Sequence, residues 1–163
     1  QTISWQYLPS NNDEFFTAAN DLELVDWLRQ FSEEKEEQFI RGFLGRMFFA
    51  GDDIYKKSSV LSGGEKVRCM LSKIMLAHPN FLLLNEPTGH LDLESITALN
   101  NAVKDFPGNL IMSSHDHELI ASTVNRIIEL TPNGVIDQLM DYNDYVKSPK
   151  VEKLREELSL VES

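Results

Sequence analysis

The spacing of apolar residues divides the chain into a helix-rich first part and a second part in which strands and helices alternate. Residues 3–8 (ISWQYL) predict a strand that stops at Pro9. Three stripes of apolar residues, three or four positions apart, then predict helices that pack in a core. The stripes are Leu22, Leu24, Val25, Trp27, Leu28 and Phe31; Phe39, Ile40, Phe43, Leu44, Met47 and Phe48; and Val67, Met70, Leu71, Ile74 and Met75.

The second part begins after the helix stop at His78-Pro79. Short apolar strands at 81–84 and 110–113 are followed by helical patterns near 94–105 and 116–124. Such strands, joined by helices, predict an α/β fold with a parallel sheet that helices cover on both faces.

The C-terminal part of the sequence predicts a hairpin and a helix. Strands at 126–130 and 135–140 flank a Pro-Asn-Gly turn at 132–134. Pro149 suits the first turn of a following helix, whose apolar face would dock on the domain or on a neighbouring one. That face consists of Val151, Leu154, Leu158 and Val161.

Composition narrows the class of protein. The chain has 163 residues, of which 42% are hydrophobic and 25% charged, and these proportions suit a compact globular domain. No apolar run approaches the ~20 residues that span a bilayer, so we expect a soluble, cytoplasmic protein without membrane insertion. The single cysteine, Cys69, is expected to serve packing. The net charge of -11 opposes nonspecific binding to phosphate backbones, although it does not exclude a local basic site.

The stretch Leu61-Ser62-Gly63-Gly64-Glu65 carries the first chemical signal. Ser62 and Glu65 form a capping-box pattern, in which both side chains satisfy free backbone N–H groups at a helix start. The two glycines are not explained by capping, since they weaken a helix. They would, however, let an anion approach the N–H groups at its positive end. A plain helix cap and an anion site both remain open.

The second signal is polar residues that follow two strands of the predicted sheet. Asn85 and Glu86 follow one strand, and Ser114, His115 and Asp116 follow the other. Ligands of open α/β sheets bind beyond the carboxyl ends of the strands. Glu86 could polarise a water molecule there and His115 could donate a hydrogen bond to a developing negative charge. A turn cap and an ordinary loop histidine are the alternatives.

Three segments in this order resemble the ATP-binding cassette (ABC) ATPases: LSGGEKVRCMLSKIML, FLLLNEPTGHLDLES and SSHDHE. The form EPTxHLDLES, the SHD sequence and RIIELTPNGVID further resemble the F subfamily, which is soluble, carries two cassettes and acts on ribosomes. The resemblance implies a P-loop NTPase-like parallel sheet flanked by helices. It covers about 1–158, as the back half of a second cassette.

The same resemblance divides the chain into domains. It implies a partial nucleotide-binding domain at 1–147, with a helical signature subdomain at 13–78 and an α/β core part at 79–140. A C-terminal helical tail follows at 148–163. The implied partners are a second cassette, in the same chain or another, and the ribosome.

The resemblance also implies roles for individual residues, with ATP and Mg²⁺ as cofactors. Glu86 matches the catalytic base and His115 the switch histidine that contacts the γ-phosphate. Asn85, and Gln6 by a looser match, correspond to residues that support magnesium, for Asn85 through water. The cofactor-binding positions, which include the signature that clamps the ATP of the opposite cassette and the loop between cassettes, are Leu61, Ser62, Gly63, Gly64, Glu65 and Asp92.

The sequence departs from the family pattern in three ways. Asn85 stands where the family usually has Asp, and Gly89 where this subfamily usually has Asn. An amide brings no negative charge to magnesium, so we expect weaker magnesium binding and slower turnover. The chain also contains no G-x-x-x-x-G-K-[ST] phosphate-binding loop. We therefore expect an incomplete cassette, inactive alone, that is a fragment, a truncated product or one partner of a split protein.

Three functions are compatible with these patterns. The first is part of an ATP-dependent translation factor or ribosome-protection protein, which the SHD and TPNG features favour. The second is part of the ATP-binding subunit of a membrane transporter. The third is a noncatalytic interaction module that has kept the fold without the phosphate-binding loop.

Overall fold

The computed structural model describes residues 2–89 and 91–159. Contacts divide the chain into two compact units, one ending at His115 and the other beginning at Asp116. The division falls inside the predicted α/β part at 79–140. The boundaries of that part and of the helical subdomain at 13–78 stay predictions. Val161, predicted for the last helix, lies outside the described residues.

The helices and strands follow the predicted order. The first unit contains β1 (Trp5–Leu8), α1 (Leu24–Arg29), α2 (Glu37–Arg46), α3 (Gly63–Leu76), β2 (Phe81–Asn85), α4 (Leu93–Lys104) and β3 (Asn109–Ser113). The second unit contains α5 (His117–Thr123), β4 (Ile127–Thr131), β5 (Gly134–Gln138), α6 (Tyr142–Lys147) and α7 (Pro149–Ser159). Within the described ranges, no helix combines the length and the apolar character that crossing a membrane requires.

The three strands of the first unit form a parallel sheet in the order β1-β2-β3. Tyr7 lies beside Leu83, which lies beside Ile111, and the register continues to Asn85 beside Ser113. All three strands therefore end at the same edge of the sheet. The α/β fold with a parallel sheet flanked by helices is confirmed.

The expectation that helices cover both faces of this sheet is wrong for this structure. One face is buried and carries Leu8, Leu82 and Leu84. On the other face, Trp5 is 59% exposed and Ile111 58% exposed. Alternate residues of a strand point to opposite faces of the sheet. The side chains that lie between Trp5 and Ile111 on this face therefore belong to the same open surface.

The helical part of the first unit packs around Trp27. Its indole is fully buried, its Nε1–H donates a hydrogen bond of 3.0 Å to the carbonyl oxygen of Phe15, and its ring stacks on Phe16. Most residues of the predicted apolar stripes supply the surrounding core, as with Leu44 of α2. The prediction is wrong for Phe31, Phe39 and Phe48, which are exposed. Cys69 of α3 is buried there, and burial raises the pKa of its thiol, as expected for a packing residue.

The second unit is built on a two-stranded antiparallel sheet. β4 pairs with β5, which confirms the predicted hairpin. Ile136, Tyr145 and Val151 form its buried core, and Leu154 and Leu158 of α7 pack against them. The apolar face of the tail helix is therefore used within this unit.

An ion pair joins the tail helix to the hairpin. Arg155 of α7 donates hydrogen bonds of 2.7 and 2.8 Å to both carboxylate oxygens of Glu129 in β4, and the Tyr145 hydroxyl donates a third of 2.6 Å. The bonds from Arg155 are the main cause of the lowered pKa of Glu129. Burial, followed by the Glu129 contact, raises the pKa of Tyr145 to about 12.

We expect Arg155→Met to destabilise the second unit by about 1 kcal/mol. Methionine keeps an apolar stem but leaves Glu129 without its charged partner. Native-state amide hydrogen exchange of the hairpin measures the change. Arg126→Met is the matched control, because Arg126 makes a similar two-bond pair with Asp137 that is exposed to solvent. Equal loss of protection in the two variants would contradict the assignment.

Candidate functional site

Glu86 follows the last residue of β2 in an uncommon backbone conformation. Its φ is +46°, in the left-handed region that residues with a side chain rarely adopt. Such a conformation costs on the order of 1 kcal/mol or more and persists where surrounding contacts impose it. Here the Glu86 N–H donates a hydrogen bond of 2.8 Å to the carbonyl oxygen of Ser113 at the end of β3. The end of the neighbouring strand thus directs the side chain of Glu86.

Three contacts surround the carboxylate of Glu86. The Ser113 hydroxyl donates a hydrogen bond of 3.2 Å to Oε1, and the backbone N–H of His115 donates one of 3.2 Å to Oε2. The His115 Nε2 lies 3.6 Å from Oε1. The two predicted catalytic residues are therefore neighbours.

The two side chains differ in their access to solvent. The side chain of Glu86 is 35% exposed, whereas that of His115 is 95% exposed. A carboxylate with two fixed donors and one open side can accept a proton from water, and an exposed imidazole can reach a ligand in front of the sheet.

The structure places Asn85 at this edge but not Gln6. Asn85 is exposed and ends β2. Gln6 lies in β1 beside Leu82, three residues before Asn85, which is roughly 10 Å along the strand. Its side chain also shares the sheet face of Leu82, opposite to that of Asn85. The structure does not bring Gln6 into this cluster.

The predicted capping box is present at the start of α3. The Glu65 N–H donates to the Ser62 hydroxyl at 3.2 Å, and the Ser62 N–H donates to the Glu65 carboxylate at 2.9 Å. Lys56 donates a further bond of 2.9 Å to Glu65. Burial opposes ionisation of Glu65, but the bonds from Ser62 and Lys56 outweigh it and lower its pKa.

Gly64 brings the start of α3 against the start of α4. A Cβ at position 64 would lie 2.5 Å from the Ser95 Oγ and 3.0 Å from the Asp92 Oδ2. Asp92 caps α4 by accepting a 2.8 Å bond from the Ser95 N–H, and hydrogen bonding by Ser95 lowers the pKa of Asp92. Gly63, by contrast, has open space around it.

Apart from Gln6, the predicted site residues therefore form two clusters in the first unit. Glu86 and His115 are held by contacts between β2, β3 and the segment after β3. Residues 61–65 and Asp92 are held by the contact between the start of α3 and the start of α4. His90, between these segments, lies outside the described residues.

Comparison with known proteins shows the family to which the chain belongs. The sequence profile of the family described as ABC transporter matches residues 3–89, more than half of the chain. The chain belongs to the ABC transporter family. The matched range includes the residues of the signature cluster at 61–65 and also Glu86.

Curated relatives are similar to this chain over most of its length. The uncharacterized ABC transporter ATP-binding protein YkpA of Bacillus subtilis is 54% identical over 158 residues, which cover 96% of this chain and 29% of YkpA. The probable ATP-binding protein YbiT of Escherichia coli O157:H7 is 45% identical, over 86% of this chain and 27% of YbiT. ABC transporter F family member 2 of Arabidopsis thaliana is 34% identical, over 91% of this chain and 22% of that protein. The chain thus spans less than a third of each relative.

A solved structure supports the fold of this ABC segment. It is the ATP-binding cassette MJ0796, in a dimeric post-hydrolysis state bound to ADP and Pi. The TM-score is 0.63 at 17% identity, and the match covers 78% of this chain and 59% of that one. At this identity the likeness establishes the fold alone.

Sequence reasoning missed two residues that shape these clusters. Ser113 touches Glu86, but it precedes the Ser-His-Asp motif and looks like the end of an apolar strand. Arg68 of α3 is 5% exposed, and its guanidinium lies 3.3 Å from Glu94 of α4. A charged residue within an apolar helical stripe was the available signal for Arg68.

We expect Gly64→Ala to destabilise the first unit by about 1–2 kcal/mol, because the added Cβ clashes with buried Ser95. Gly63→Ala is the matched control in the same helical turn. It should be neutral or slightly stabilising, since alanine favours a helix. Urea unfolding followed by tryptophan fluorescence reports on this unit, which contains both tryptophans. Equal stability of the two variants would rule out close packing at Gly64.

Proposed function

We propose that this chain forms the signature-bearing part of an ABC ATPase, which binds and hydrolyses ATP in the complete protein. The observation that carries the proposal is the position of Glu86. Its carboxylate is held at the end of the central strand of the parallel sheet, is 35% exposed and has His115 beside it. This is the arrangement that a general base for an attacking water requires.

The side chains at the sheet edge fit the proposed cofactors. Asn85 presents an amide oxygen that would hydrogen-bond the water shell of a magnesium ion, which keeps most of its water. When bound, ATP supplies the phosphoryl group that passes to water, and Mg²⁺ neutralises its charge. Glu86 would orient the water and accept its proton, and His115 would hydrogen-bond the phosphate end.

The signature cluster supports a second cassette as partner. Backbone N–H groups at the start of a helix attract anions, and the open space at Gly63 permits close approach. Because this cluster and Glu86 are held by separate contacts, we propose that each serves a different nucleotide. Residues 61–65 and Asp92 would face the ATP of the other cassette, as the dimeric state of the solved cassette also suggests.

We further propose that the complete protein is a cytoplasmic F-subfamily factor that acts on the ribosome. The F family name of one curated relative and the SHD and TPNG features support this role. A transporter subunit is the second candidate, because the family description and the YkpA name contain the word transporter. Cosedimentation of a complete protein with ribosomes separates the two roles.

A chimeric protein tests the ATPase role. The region of YkpA that aligns with this chain is replaced by the chain itself, and magnesium-dependent phosphate release is measured. We expect turnover in the chimera. In its Glu86→Gln variant, the turnover that depends on this site should fall by about 100-fold or more, because glutamine cannot accept the proton.

The controls for this experiment separate binding from chemistry. The Glu86→Gln variant should retain ATP binding, measured by equilibrium dialysis. The 163-residue chain alone should release no phosphate, since its sequence contains no phosphate-binding loop. A folded chimera that binds ATP but is indifferent to Glu86→Gln would contradict the proposed role.

We expect Asn85→Asp in the same chimera to strengthen the response to magnesium. A carboxylate adds a negative charge beside the ion, which should lower the half-saturating Mg²⁺ concentration by roughly three- to tenfold. Titration of phosphate release against Mg²⁺ measures this effect. An unchanged magnesium dependence and an unchanged rate would refute the idea that Asn85 limits this site.

A further inference from the structure

Ser113 contacts Glu86 through both its main chain and its side chain. Its carbonyl oxygen accepts the Glu86 N–H at 2.8 Å, and its hydroxyl donates to the Glu86 Oε1 at 3.2 Å. The pairing of β2 with β3 places Ser113 beside Asn85, the residue before Glu86. A single strand end thus holds both the backbone and the carboxylate of the proposed base.

The two donors to the Glu86 carboxylate, one a side chain and one a backbone group, act on different oxygen atoms. Ser113 binds Oε1, and the backbone N–H of His115 binds Oε2. One donor alone would leave the carboxylate free to turn about the bonds of the glutamate side chain, the last of which rotates most broadly. Donors on both oxygens fix its plane.

We propose that Ser113 is a positioning residue, whose hydroxyl sets the orientation in which Glu86 receives a proton from water. The inference rests on the proposed function of Glu86. Ser113 itself neither touches the nucleotide nor takes up the proton. Its hydroxyl hydrogen is used by Oε1, and the Glu86 side chain stays 35% exposed to solvent.

A matched pair of variants isolates the hydroxyl. Thr and Val have nearly the same shape, and both suit a β-strand, but only Thr can donate a hydrogen bond. Ser113→Thr and Ser113→Val are therefore introduced into the YkpA chimera. Ser122→Ala serves as a further control, because the Ser122 hydroxyl donates to the Leu119 carbonyl in the second unit.

We expect Ser113→Val to lower kcat by roughly three- to tenfold, the net effect of one ordinary hydrogen bond, because the 3.2 Å contact is long and Glu86 is partly exposed. KM for ATP should stay within about twofold, because orientation of the base contributes to turnover and not to nucleotide binding. Ser113→Thr and Ser122→Ala should keep the parent kcat within about twofold. In the Glu86→Gln background, Ser113→Val should have no further effect.

A second measurement needs no activity. In the 163-residue chain, NMR scalar couplings of the Glu86 side chain should indicate one rotamer with Ser or Thr at position 113. With Val they should indicate averaging. Circular dichroism and thermal unfolding establish that each variant is folded, and Ser113→Ala replaces Ser113→Val if the latter is not.

The outcomes distinguish the two proposals. Equal kcat for the Val and Thr variants, with turnover still dependent on Glu86, overturns the role of Ser113 and leaves the proposed function intact. Turnover indifferent to Glu86 overturns the proposed function. In that case a Glu86 rotamer unaffected by Ser113→Val overturns the positioning contact as well.

Discussion

The parallel pairing of β2 with β3 is the constraint on which the candidate site depends. Its register sets Asn85 beside Ser113, so that the chain leaves both strands at the same edge. The first residue beyond β2 can then adopt its left-handed backbone, because the carbonyl oxygen at the end of β3 receives its N–H. A shift of one residue would send Glu86 to the other face of the sheet. Packing of Leu82 and Leu84 in the core opposes that shift.

Most of the fold could be predicted because its signals are local. Apolar stripes predicted the helices, and the Pro-Asn-Gly turn between apolar strands predicted the hairpin. The capping box was visible as Ser62 and Glu65, three residues apart. Glu86 and His115 were found because polar residues directly follow apolar strands. In the helices, the hairpin turn and the capping box, the residues that form the pattern and those that make the contact lie close together in the sequence.

What could not be predicted depends on contacts between distant segments. The bond from Ser113 to Glu86 joins residues 27 positions apart, and it exists only because of strand register. Gln6 matched a family loop, yet it lies within a strand whose pairing keeps it away from Asn85. Coverage of the sheet was overestimated, because apolar strand composition does not reveal which faces meet a helix. The close approach at Gly64 required the relative position of two helix starts.

The open sheet face also determines how the isolated chain behaves in solution. β1 and β3 are the outer strands of the three-stranded sheet, so each has a hydrogen-bonding side that no strand of that sheet occupies. Unpaired strand edges beside exposed Trp5 and Ile111 form a template for self-association. Mutual repulsion from a net charge of -11 opposes it. Salt shortens the range of that repulsion to about 10 Å at 0.1 M, so colloidal stability should decrease as ionic strength rises.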